Sequence, residues 1–406
     1  MGTPVATALN HHMPAHIAIA GCGAITAVGA GVATLWEAVV ANTSALRQRE
    51  WVIGKTTQNV TAGFVPEEVV KALRVTHPAH ADSRAFMFAA AALHEAMGNS
   101  GDALKNIPAN RRGLVLSTTK ANIEALDQLN RRQLVSLPAQ RQIQPALLAA
   151  DLAVNLGCGG PVQCVSAACI SGLSALQQGA LLIQRGEADV VLVVGVDLIS
   201  QFVLAGFHSL KSLDPEGCRP FDQARLGLSL GEGAAAIILV KRELLPSPAV
   251  CLTGWGTSND ANHLTGPSRD GSGLALAIRR ALERAELTPN QIDYINAHGT
   301  GTSYNDNMES LALRSVFGDA VPPFGGNKGL FGHTLGIAGV LETVICVNAL
   351  KHQLLPGTPR LRERDSVAPE SLVATPRPAK NLQRVLKMNC GFGGTNAAVI
   401  LELNPA

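Results

Sequence analysis

The sequence lacks three features: an excess of charge of either sign, long apolar runs, and cysteine pairs at metal-ligand spacing. It has 33 Lys and Arg against 31 Asp and Glu, with no basic block, which argues against nucleic acid or an anionic membrane as its main partner. No apolar run reaches the roughly 18 residues of a transmembrane helix, and residues 1–15 contain no Lys or Arg to begin a signal peptide. Its eight cysteines form no CxxC pair and no zinc-spaced Cys/His cluster, which predicts a cytoplasmic protein without a bound metal.

Apolar residues make up 47% of the 406 residues, enough to bury a large core in two domains or two fused halves. Strand and helix patterns alternate and the strands are apolar, which favours an α/β fold with buried sheets covered by helices. Residues 1–15 are predicted to be a disordered tail. Residues 45–80 show no clear period and are predicted as loops and short elements, and residues 128–144 as an irregular polar region.

The second half of the sequence repeats the order of the first. The apolar segment and glycine-rich turn at 16–23 recur at the start of the second half, and Cys169, followed three residues later by a glycine, has a counterpart in His333. We therefore predict two duplicated halves, 16–248 and 249–406, with Cys169 and His333 at equivalent helix starts. The alternative is a chance likeness between two α/β segments.

Cys169 lies where a β-branched strand pattern ends and a helical pattern begins. Small residues around it allow a tight turn, and apolar positions from Ile170 to about Arg185 recur at helical spacing. The unpaired N–H groups and the dipole at a helix N-terminus stabilise a thiolate, so we expect a lowered thiol pKa and a nucleophilic Cys169. Taken alone, the cysteine has a second interpretation, a buried structural residue.

Three further motifs carry groups that could act with this cysteine. His298 follows an apolar strand, and His333 follows Lys328 by five residues on a glycine-flanked turn. The glycine-rich segment 391–396 could offer backbone N–H groups to an oxyanion. Each histidine taken alone is more often structural. Together with the cysteine, the motifs indicate one catalytic set.

Four motifs resemble the elongating β-ketoacyl-acyl-carrier-protein synthases and occur in that family's order. They are SAACISG around Cys169, NAHGTGT around His298, NKGLFGH with Lys328 and His333, and GFGGTN at 391–396. The resemblance runs from about residue 16 to residue 403. It implies a thiolase-like fold of two similar βαβαβαββ halves in a layered α-β-α-β-α arrangement, which would account for the repeat.

The resemblance implies a decarboxylative Claisen condensation in fatty acid or polyketide synthesis. Cys169 would take an acyl group from the phosphopantetheine arm of an acyl carrier protein, and a malonyl-carrier protein would then lose carbon dioxide and extend the chain by two carbons. His298 and His333 would donate to the enolate, and the N–H groups of Cys169 and Phe392 would form the oxyanion hole. The enzyme would need no metal and no bound cofactor.

The resemblance also implies supporting roles for other residues. They are Lys328, Glu342 and Asp306 in a polar network, Thr300, Thr302 and Thr265 at the pantetheine, Phe392 as a gate, and Thr118, Thr119 and Phe207 in the acyl pocket. The segment Ser117–Lys120 replaces a glycine-rich lining of that pocket, and Asn389–Cys390 replaces a common aromatic residue. Because unpaired hydroxyls beside an alkyl chain are costly, we expect an unsaturated, aryl or short acyl chain rather than a long saturated one.

The resemblance implies a dimer joined strand to strand, either a homodimer or a heterodimer with a subunit like a chain-length factor. The acyl carrier protein is acidic in this family, so exposed cations near the site should form its docking patch. The candidate cations lie in predicted loops and are Arg131, Arg132, Lys211 and Arg219.

Three other functions compete with the condensing enzyme. A thiolase would use Cys390 as a second cysteine, but the lysine and the glycine-rich motif argue against it. A non-catalytic chain-length factor would lack the nucleophile. A Cys/His hydrolase would have no use for the second histidine and the lysine.

Overall fold

Strands and helices alternate along the chain in a computed structural model that describes residues 17–53, 56–246 and 248–404. The strands are β1 (Ile17–Thr26), β2 (Gly29–Ala30), β3 (Arg47–Ile53), β4 (Thr56–Ala62), β5 (Arg112–Ser117), β6 (Val162–Val165), β7 (Val190–Asp197), β8 (Gly233–Lys241), β9 (Ala249–Asn259), β10 (Tyr294–Asn296), β11 (Phe324–Gly325), β12 (Leu354–Leu355), β13 (Arg377–Pro378), β14 (Arg384–Gly391) and β15 (Thr395–Asn404). The α-helices are α1 (Val32–Ala41), α2 (Glu67–Thr76), α3 (Arg84–Gly98), α4 (Ile123–Asn130), α5 (Leu137–Arg141), α6 (Pro145–Asn155), α7 (Ser171–Gln184), α8 (Gln201–Ser209), α9 (Ser272–Arg284), α10 (Ser303–Phe317), α11 (Lys328–Phe331) and α12 (Ala338–His352).

Two half-sheets have the same strand order, β1-β8-β7-β5-β6 and β9-β15-β14-β10-β11. In each, the two pairings around β5 or β10 are parallel and the others are antiparallel. The half-sheets join where β1 pairs with β9, at Ile17 with Leu252 and Ala18 with Cys251. The repeated order agrees with the predicted duplication, whereas the boundary between residues 248 and 249 stays a prediction.

Alternate side chains of each half-sheet enter different cores, as the two-residue period of a strand requires. Val191 and Val399 face a central cluster that contains α7 and α12. Leu192 faces α3 on the outside of the first half-sheet, and Ile400 faces α9 and α10 on the outside of the second. The layers are therefore helix, sheet, helix, sheet, helix, and the predicted thiolase-like α/β arrangement is confirmed.

The two central helices cross at a pair of glycines. A Cβ on Gly172 of α7 would lie 2.7 Å from the backbone N of Val340, and a Cβ on Gly339 of α12 would lie 2.3 Å from the backbone N of Leu173. Real Cβ atoms essentially never approach another atom so closely. The backbones touch at this crossing, and it sets the distance between the two halves.

The region 45–80 is more regular than the sequence predicts. It contains the hairpin of β3 and β4 and the helix α2, which begins after Pro66 with two glutamates in its first turn, where the helix dipole favours them. The region 128–144 holds the end of α4 and the short α5, so it is only partly irregular. The predicted tail at 1–15 lies outside the described residues.

One helical segment in the described ranges is long and apolar enough to cross a membrane, Leu335–His352. It consists of a 3₁₀ turn, Leu335–Ile337, and α12. Within the fold 83% of it is buried, and a core helix passes the same test of length and hydropathy.

We predict that Gly339→Ala and Gly172→Ala each lower the free energy of unfolding by about 1–3 kcal/mol, because the new methyl groups overpack the helix crossing. Urea unfolding followed by circular dichroism measures the effect. The matched control is Gly206→Ala in α8, whose Cβ would have no atom within 4 Å. That variant should be about 0.5–1 kcal/mol more stable than the wild type. A Gly339→Ala protein as stable as the control would contradict the close crossing.

Candidate active site

Side chains from both halves meet at one place near the carboxyl ends of the strands. Cys169 lies two residues before α7, His333 lies two residues before the helical segment that starts at Leu335, and His298 follows β10. The sulfur and ring nitrogens of these three side chains lie within 4.8 Å of one another. The structure therefore brings together the cysteine and both histidines singled out in the sequence, and places Cys169 and His333 equivalently.

The turn before α7 is tight, as the small residues predict. Ala168 has a left-handed backbone with φ 48°. The Ser171 hydroxyl accepts from the Ala167 N–H at 2.8 Å and donates to the Ala168 carbonyl at 2.6 Å. A Cβ on Gly391 would lie 2.8 Å from the Thr395 hydroxyl and 3.1 Å from the backbone N of Cys169, so β14 passes over this turn with little room for a side chain.

The Cys169 thiol lies buried between two N–H donors. Its Sγ is 3.0 Å from His333 Nε2, and the Phe392 backbone N–H donates to it. Burial raises the pKa of the thiol to about 11, although the charge of Lys328 and the N–H of Phe392 lower it. The expected lowered pKa is wrong, because the position before a helix does not replace the water that a thiolate loses on burial.

His333 carries its proton on the nitrogen that faces the cysteine. The Leu335 N–H donates to His333 Nδ1 at 3.2 Å. Leu335 has a left-handed backbone, φ 52°, which costs a leucine about 1–2 kcal/mol. A neutral imidazole that accepts at Nδ1 bears its proton at Nε2. His333 Nε2–H is therefore a donor directed into the site.

His298 has the same tautomer for a different reason. Lys328 Nζ lies 3.1 Å from His298 Nδ1, and an ammonium can only donate, so Nδ1 accepts and Nε2 carries the proton. The Asn389 amide nitrogen lies 3.1 Å from the same Nδ1 and donates to the Cys169 carbonyl at 3.3 Å. The rings of His298 and His333 are 4.9 Å apart and nearly perpendicular, at 84°.

Both imidazoles are neutral in this environment. Burial is the main cause that lowers the pKa of His298 and of His333 well below the usual value, and the positive charge of Lys328 adds to it. Lys387 contributes in the same direction at both rings. Neutral rings can donate Nε2–H bonds to an anion without holding a charge of their own.

A single carboxylate lies between two buried ammonium groups behind the histidines. Lys328 Nζ donates to Glu342 Oε1 at 2.6 Å and to the His298 carbonyl at 2.5 Å. Lys387 Nζ lies 2.7 Å from Glu342 Oε2, as an ion pair outside hydrogen-bond angles. All three side chains are 0% exposed. The pairing of Lys328 with Glu342 matches the prediction, and Lys387 is an addition to it.

Two carboxylates of α10 hold the loop that follows His298. Asp306 accepts from the Thr300 N–H at 3.0 Å. Glu309 accepts from the backbone N–H groups of His298 and Gly299 at 2.6 and 2.7 Å. Burial and the nearby Asp306 raise the pKa of Glu309 to about 7. These bonds fix the backbone from which the His298 ring projects.

The predicted pantetheine residues lie on two loops. The hydroxyls of Thr300 and Thr302 are 2.9 Å apart. Thr265 is exposed on a loop whose Leu264 carbonyl accepts from the Gly393 N–H at 2.7 Å. This bond places the Thr265 loop against the glycine-rich segment that carries Phe392.

The predicted pocket residues have different surroundings. Phe392 stacks on Phe207 of α8 with ring centroids 5.8 Å apart, which brings the predicted gate and one pocket residue together. Thr118 and Thr119 instead donate their hydroxyls to the buried Asp197, at 2.9 and 3.0 Å. The argument for an unsaturated, aryl or short acyl chain needed unpaired hydroxyls and is wrong in that respect. The acyl preference itself stays a prediction.

One of the predicted docking cations cannot serve that role. Arg219 is 4% exposed, donates to the Ala224 carbonyl at 2.8 Å and lies 4.0 Å from Asp214. The position of Arg219 in a loop did not imply exposure, because its side chain bonds to neighbouring residues of the same loop region. Arg131, Arg132 and Lys211 are exposed.

Sequence reasoning missed four polar groups at the site, and three of them had a readable signal. Gly391 faces the cysteine, and a two-residue period along β14 places Asn389 and Lys387 on the same side. Glu309 lies three residues after Asp306, on the same face of a helix. Asp197, at the end of β7, had no signal in the sequence.

The trio of Cys169, His298 and His333 has the spacing of a metal site but the wrong chemistry for one. Both histidines hold protons on Nε2, as their Nδ1 contacts require. Two buried lysines lie behind them against one carboxylate. These surroundings favour the binding of an anion over that of a cation.

The thiolase alternative fails on the position of its second cysteine. Cys390 lies in the outer cluster with Met388 and Ile295. It is therefore on the opposite side of β14 from Asn389 and from the Cys169 sulfur.

Sequence profiles of one family cover most of the chain. Residues 15–244 match the N-terminal domain of β-ketoacyl synthase, and residues 249–362 match its C-terminal domain.

Curated relatives and solved structures agree with those matches. A putative polyketide β-ketoacyl synthase 1 from Streptomyces halstedii is 32% identical over 96% of this chain and 98% of its own length. The ketoacyl synthase alpha subunit of a tetracenomycin polyketide synthase from Streptomyces glaucescens is 30% identical over 97% and 98%. A ketosynthase from Xenorhabdus doucetiae, solved in complex with its chain length factor, is 29% identical, with a TM-score of 0.85 over 97% of this chain and 99% of that one.

We predict that alkylation of Cys169 by iodoacetamide accelerates about tenfold per pH unit from pH 7 to pH 10, because only the thiolate reacts and the thiol pKa is raised to about 11. Mass spectrometry of the peptide that contains Cys169 measures the rate. Cys158 and Cys164, which are partly exposed, are internal controls for reagent access. A rate that levels off below pH 8 would show that the pKa of the Cys169 thiol is lowered, as the sequence predicts.

Proposed function

The chain belongs to the β-ketoacyl synthase family, and we propose from its site that Cys169 carries the acyl chain while His298 and His333 promote loss of carbon dioxide from a malonyl unit. The family's reaction joins an acyl thioester to malonyl carrier protein and gives a β-ketoacyl product two carbons longer. The observation that carries the proposal is the pair of neutral imidazoles, each with Nδ1 accepting a hydrogen bond and with Nε2–H as the donor at the thiol's side of the ring.

The first step transfers the acyl group to the enzyme. The Cys169 sulfur bonds the acyl carbon, the thioester bond to the pantetheine breaks, and the proton of the thiol leaves with the pantetheine sulfur. The N–H groups of Cys169 and Phe392 would hold the carbonyl oxygen while it is negative. Because burial disfavours a free thiolate, the thiol is protonated until a thioester is in place.

The second step forms and uses an enolate. The bond between the malonyl carbon and its carboxylate breaks, carbon dioxide leaves, and the electron pair remains on the thioester enolate. The Nε2–H groups of His298 and His333 donate to its oxygen. The enolate carbon then attacks the acyl carbonyl, the bond to the Cys169 sulfur breaks with its electron pair on the sulfur, and a proton from water restores the thiol. A hydrolase with a single histidine would have no second donor for this anion.

Substrates would arrive on the phosphopantetheine arm of an acyl carrier protein. Thr300 and Thr302, on the loop after His298, and Thr265, on the loop that contacts the segment of the gate, would bind the arm. Phe392, stacked on Phe207, would move to admit the acyl chain. Lys211 lies just beyond the end of α8 and Arg131 contacts Gln201 at its start, so exposed cations flank the helix that carries the gate's partner.

A non-identical partner subunit is the assembly that the relatives favour over a homodimer. Solved relatives include ketosynthases paired with chain length factors, and one curated relative is an alpha subunit. The strand β6 is the outer strand of its half-sheet and Val162 on it is 40% exposed, which leaves an edge for a second subunit's strand. The described cysteines form no disulfide, in keeping with a place in the cytoplasm.

We predict that the protein forms an acyl adduct on Cys169 with a matching acyl-carrier protein, and that malonyl-carrier protein then releases a product two carbons longer. Intact-mass spectrometry follows the adduct, with Cys169→Ala as the control, and a panel of acyl chains identifies the preferred one. In His298→Ala, loading should persist while carbon dioxide release falls by about 100-fold or more, since a donor to the enolate is lost. Release at the wild-type rate would remove that role from His298.

We predict that charge reversal at Lys211, Arg132 or Arg131 raises KM for the carrier protein and leaves kcat little changed. The reason is that an acidic carrier protein contacts these cations before the reaction begins. Steady-state kinetics at low salt measures the effect. Arg185 is the matched control, because it is 61% exposed and lies at the far end of α7, roughly 20 Å from the cysteine. Equal KM values in all four variants would rule out this patch.

A further inference from the structure

Lys387 is a buried cation whose contacts all lie behind the catalytic histidines. It projects from the side of β14 that faces the site and is 0% exposed. Its ammonium donates to the carbonyl of Met388 at 2.8 Å and to the carbonyl of Ala297 at 3.1 Å. Ala297 immediately precedes His298. Lys387 therefore links β14 and Glu342 to the backbone that carries one of the histidines.

The buried group of three charges is not balanced. Lys328 and Lys387 share one carboxylate, that of Glu342, at 2.6 and 2.7 Å. Lys387 has no second carboxylate within ion-pair distance among the described residues. Burying an ammonium without a counter-ion of its own is costly, so a purely structural role would be served as well by a neutral side chain of similar length.

The charged and titratable groups around the histidines come from every element that packs against them. They are Lys328 of α11, Lys387 and Cys390 of β14, Glu342 and Cys346 of α12, Asp306 and Glu309 of α10, and Cys169 before α7. The two carboxylates of α10 accept backbone N–H groups of the loop after His298. The pKa of Glu309 is raised to about 7, which favours the neutral form of this carboxyl group. Burial lowers the pKa of Lys387, whereas the charge of Glu342 raises it. With Lys387 protonated, the balance on the side of the lysines is one positive charge.

We infer that Lys387 is a positioning residue for the decarboxylation step. Its ammonium gives the buried group one net positive charge behind His298 and His333, and this charge stabilises the enolate that they bind. The inference rests on the proposed function. Acyl loading should depend little on this charge, because the oxyanion of acyl transfer would be held at the N–H groups of Cys169 and Phe392, outside the contacts of Lys387. A fixed charge aimed at developing negative charge in a dry site is an effective form of transition-state stabilisation.

The protonation of the histidines supports the same role. The charge of Lys387 is among the causes that lower the pKa of both His298 and His333. Without the charge of Lys387, the pKa values of His298 and His333 rise toward the ordinary value of an imidazole. The acid limb of the pH profile, below which the histidines protonate and lose their Nδ1 acceptors, then moves to higher pH.

The test compares Lys387→Met with the double variant Lys387→Met/Glu342→Gln. The single variant leaves Lys328 and Glu342 as a neutral pair, whereas the double variant leaves Lys328 alone and restores one net positive charge. Protein acylated on Cys169 is mixed with malonyl-carrier protein, and carbon dioxide release is measured between pH 5.5 and pH 9. The rate of acyl loading is measured in parallel, and thermal unfolding reports whether each variant is folded.

We expect carbon dioxide release by Lys387→Met to fall by about 10- to 100-fold in kcat, with KM and acyl loading little changed and the acid limb shifted to higher pH. The double variant should regain part of the lost rate, and its acid limb should move back. Lys387→Arg, which keeps the charge, should lie closer to the wild type.

Two results would overturn the inference. One is a Lys387→Met protein with the wild-type rate and pH profile. The other is a double variant as impaired as Lys387→Met or more so, with the acid limb unmoved in both, which would make the residue merely structural. A wild-type protein that loads Cys169 but releases no carbon dioxide would instead refute the proposed function itself.

Discussion

The arrangement of the site depends on one buried ammonium, that of Lys328. It donates to a ring nitrogen and to the carbonyl of His298 and forms an ion pair with Glu342. Because an ammonium cannot accept a hydrogen bond, the contact permits only one tautomer of His298, and the free N–H must point toward the sulfur. The same charge lowers the pKa of both histidines and of the thiol. One side chain thus sets direction, protonation and charge at three reacting groups.

The duplicated fold explains how those groups come together at all. Each half supplies a helical segment that begins two residues after a functional side chain, α7 after Cys169 in the first half and the 3₁₀ turn that leads into α12 after His333 in the second. The helices touch backbone to backbone at Gly172 and Gly339, which brings their starts close together. Asp197, at the end of β7, adds a bond across the halves by accepting the Gly336 N–H at 2.8 Å. Neither half contains a complete site.

Sequence patterns predicted the parts of this structure that depend on period and order. Repeated strands, the turn at Cys169 and the motifs of both histidines could be read because each is local or recurs along the chain. Properties set by the packed environment could not. Burial, which no local pattern reports, reversed the expected pKa shift of Cys169, removed Arg219 from the surface and paired the threonine hydroxyls with Asp197. Lys387 was readable in principle, by alternation along β14.

The resting site is arranged for an anion that it does not yet hold. Two N–H donors meet at the thiol, two neutral imidazoles present protons, and the lysines outnumber the carboxylate between them. Even so, burial keeps the thiol protonated, because a bare thiolate in this dry pocket would lose more hydration than the donors return. Negative charge becomes favourable only when it is spread over a bound thioester or an enolate within reach of several donors. Interactions that strengthen only as that charge develops lower the barrier rather than stabilise the bound substrate.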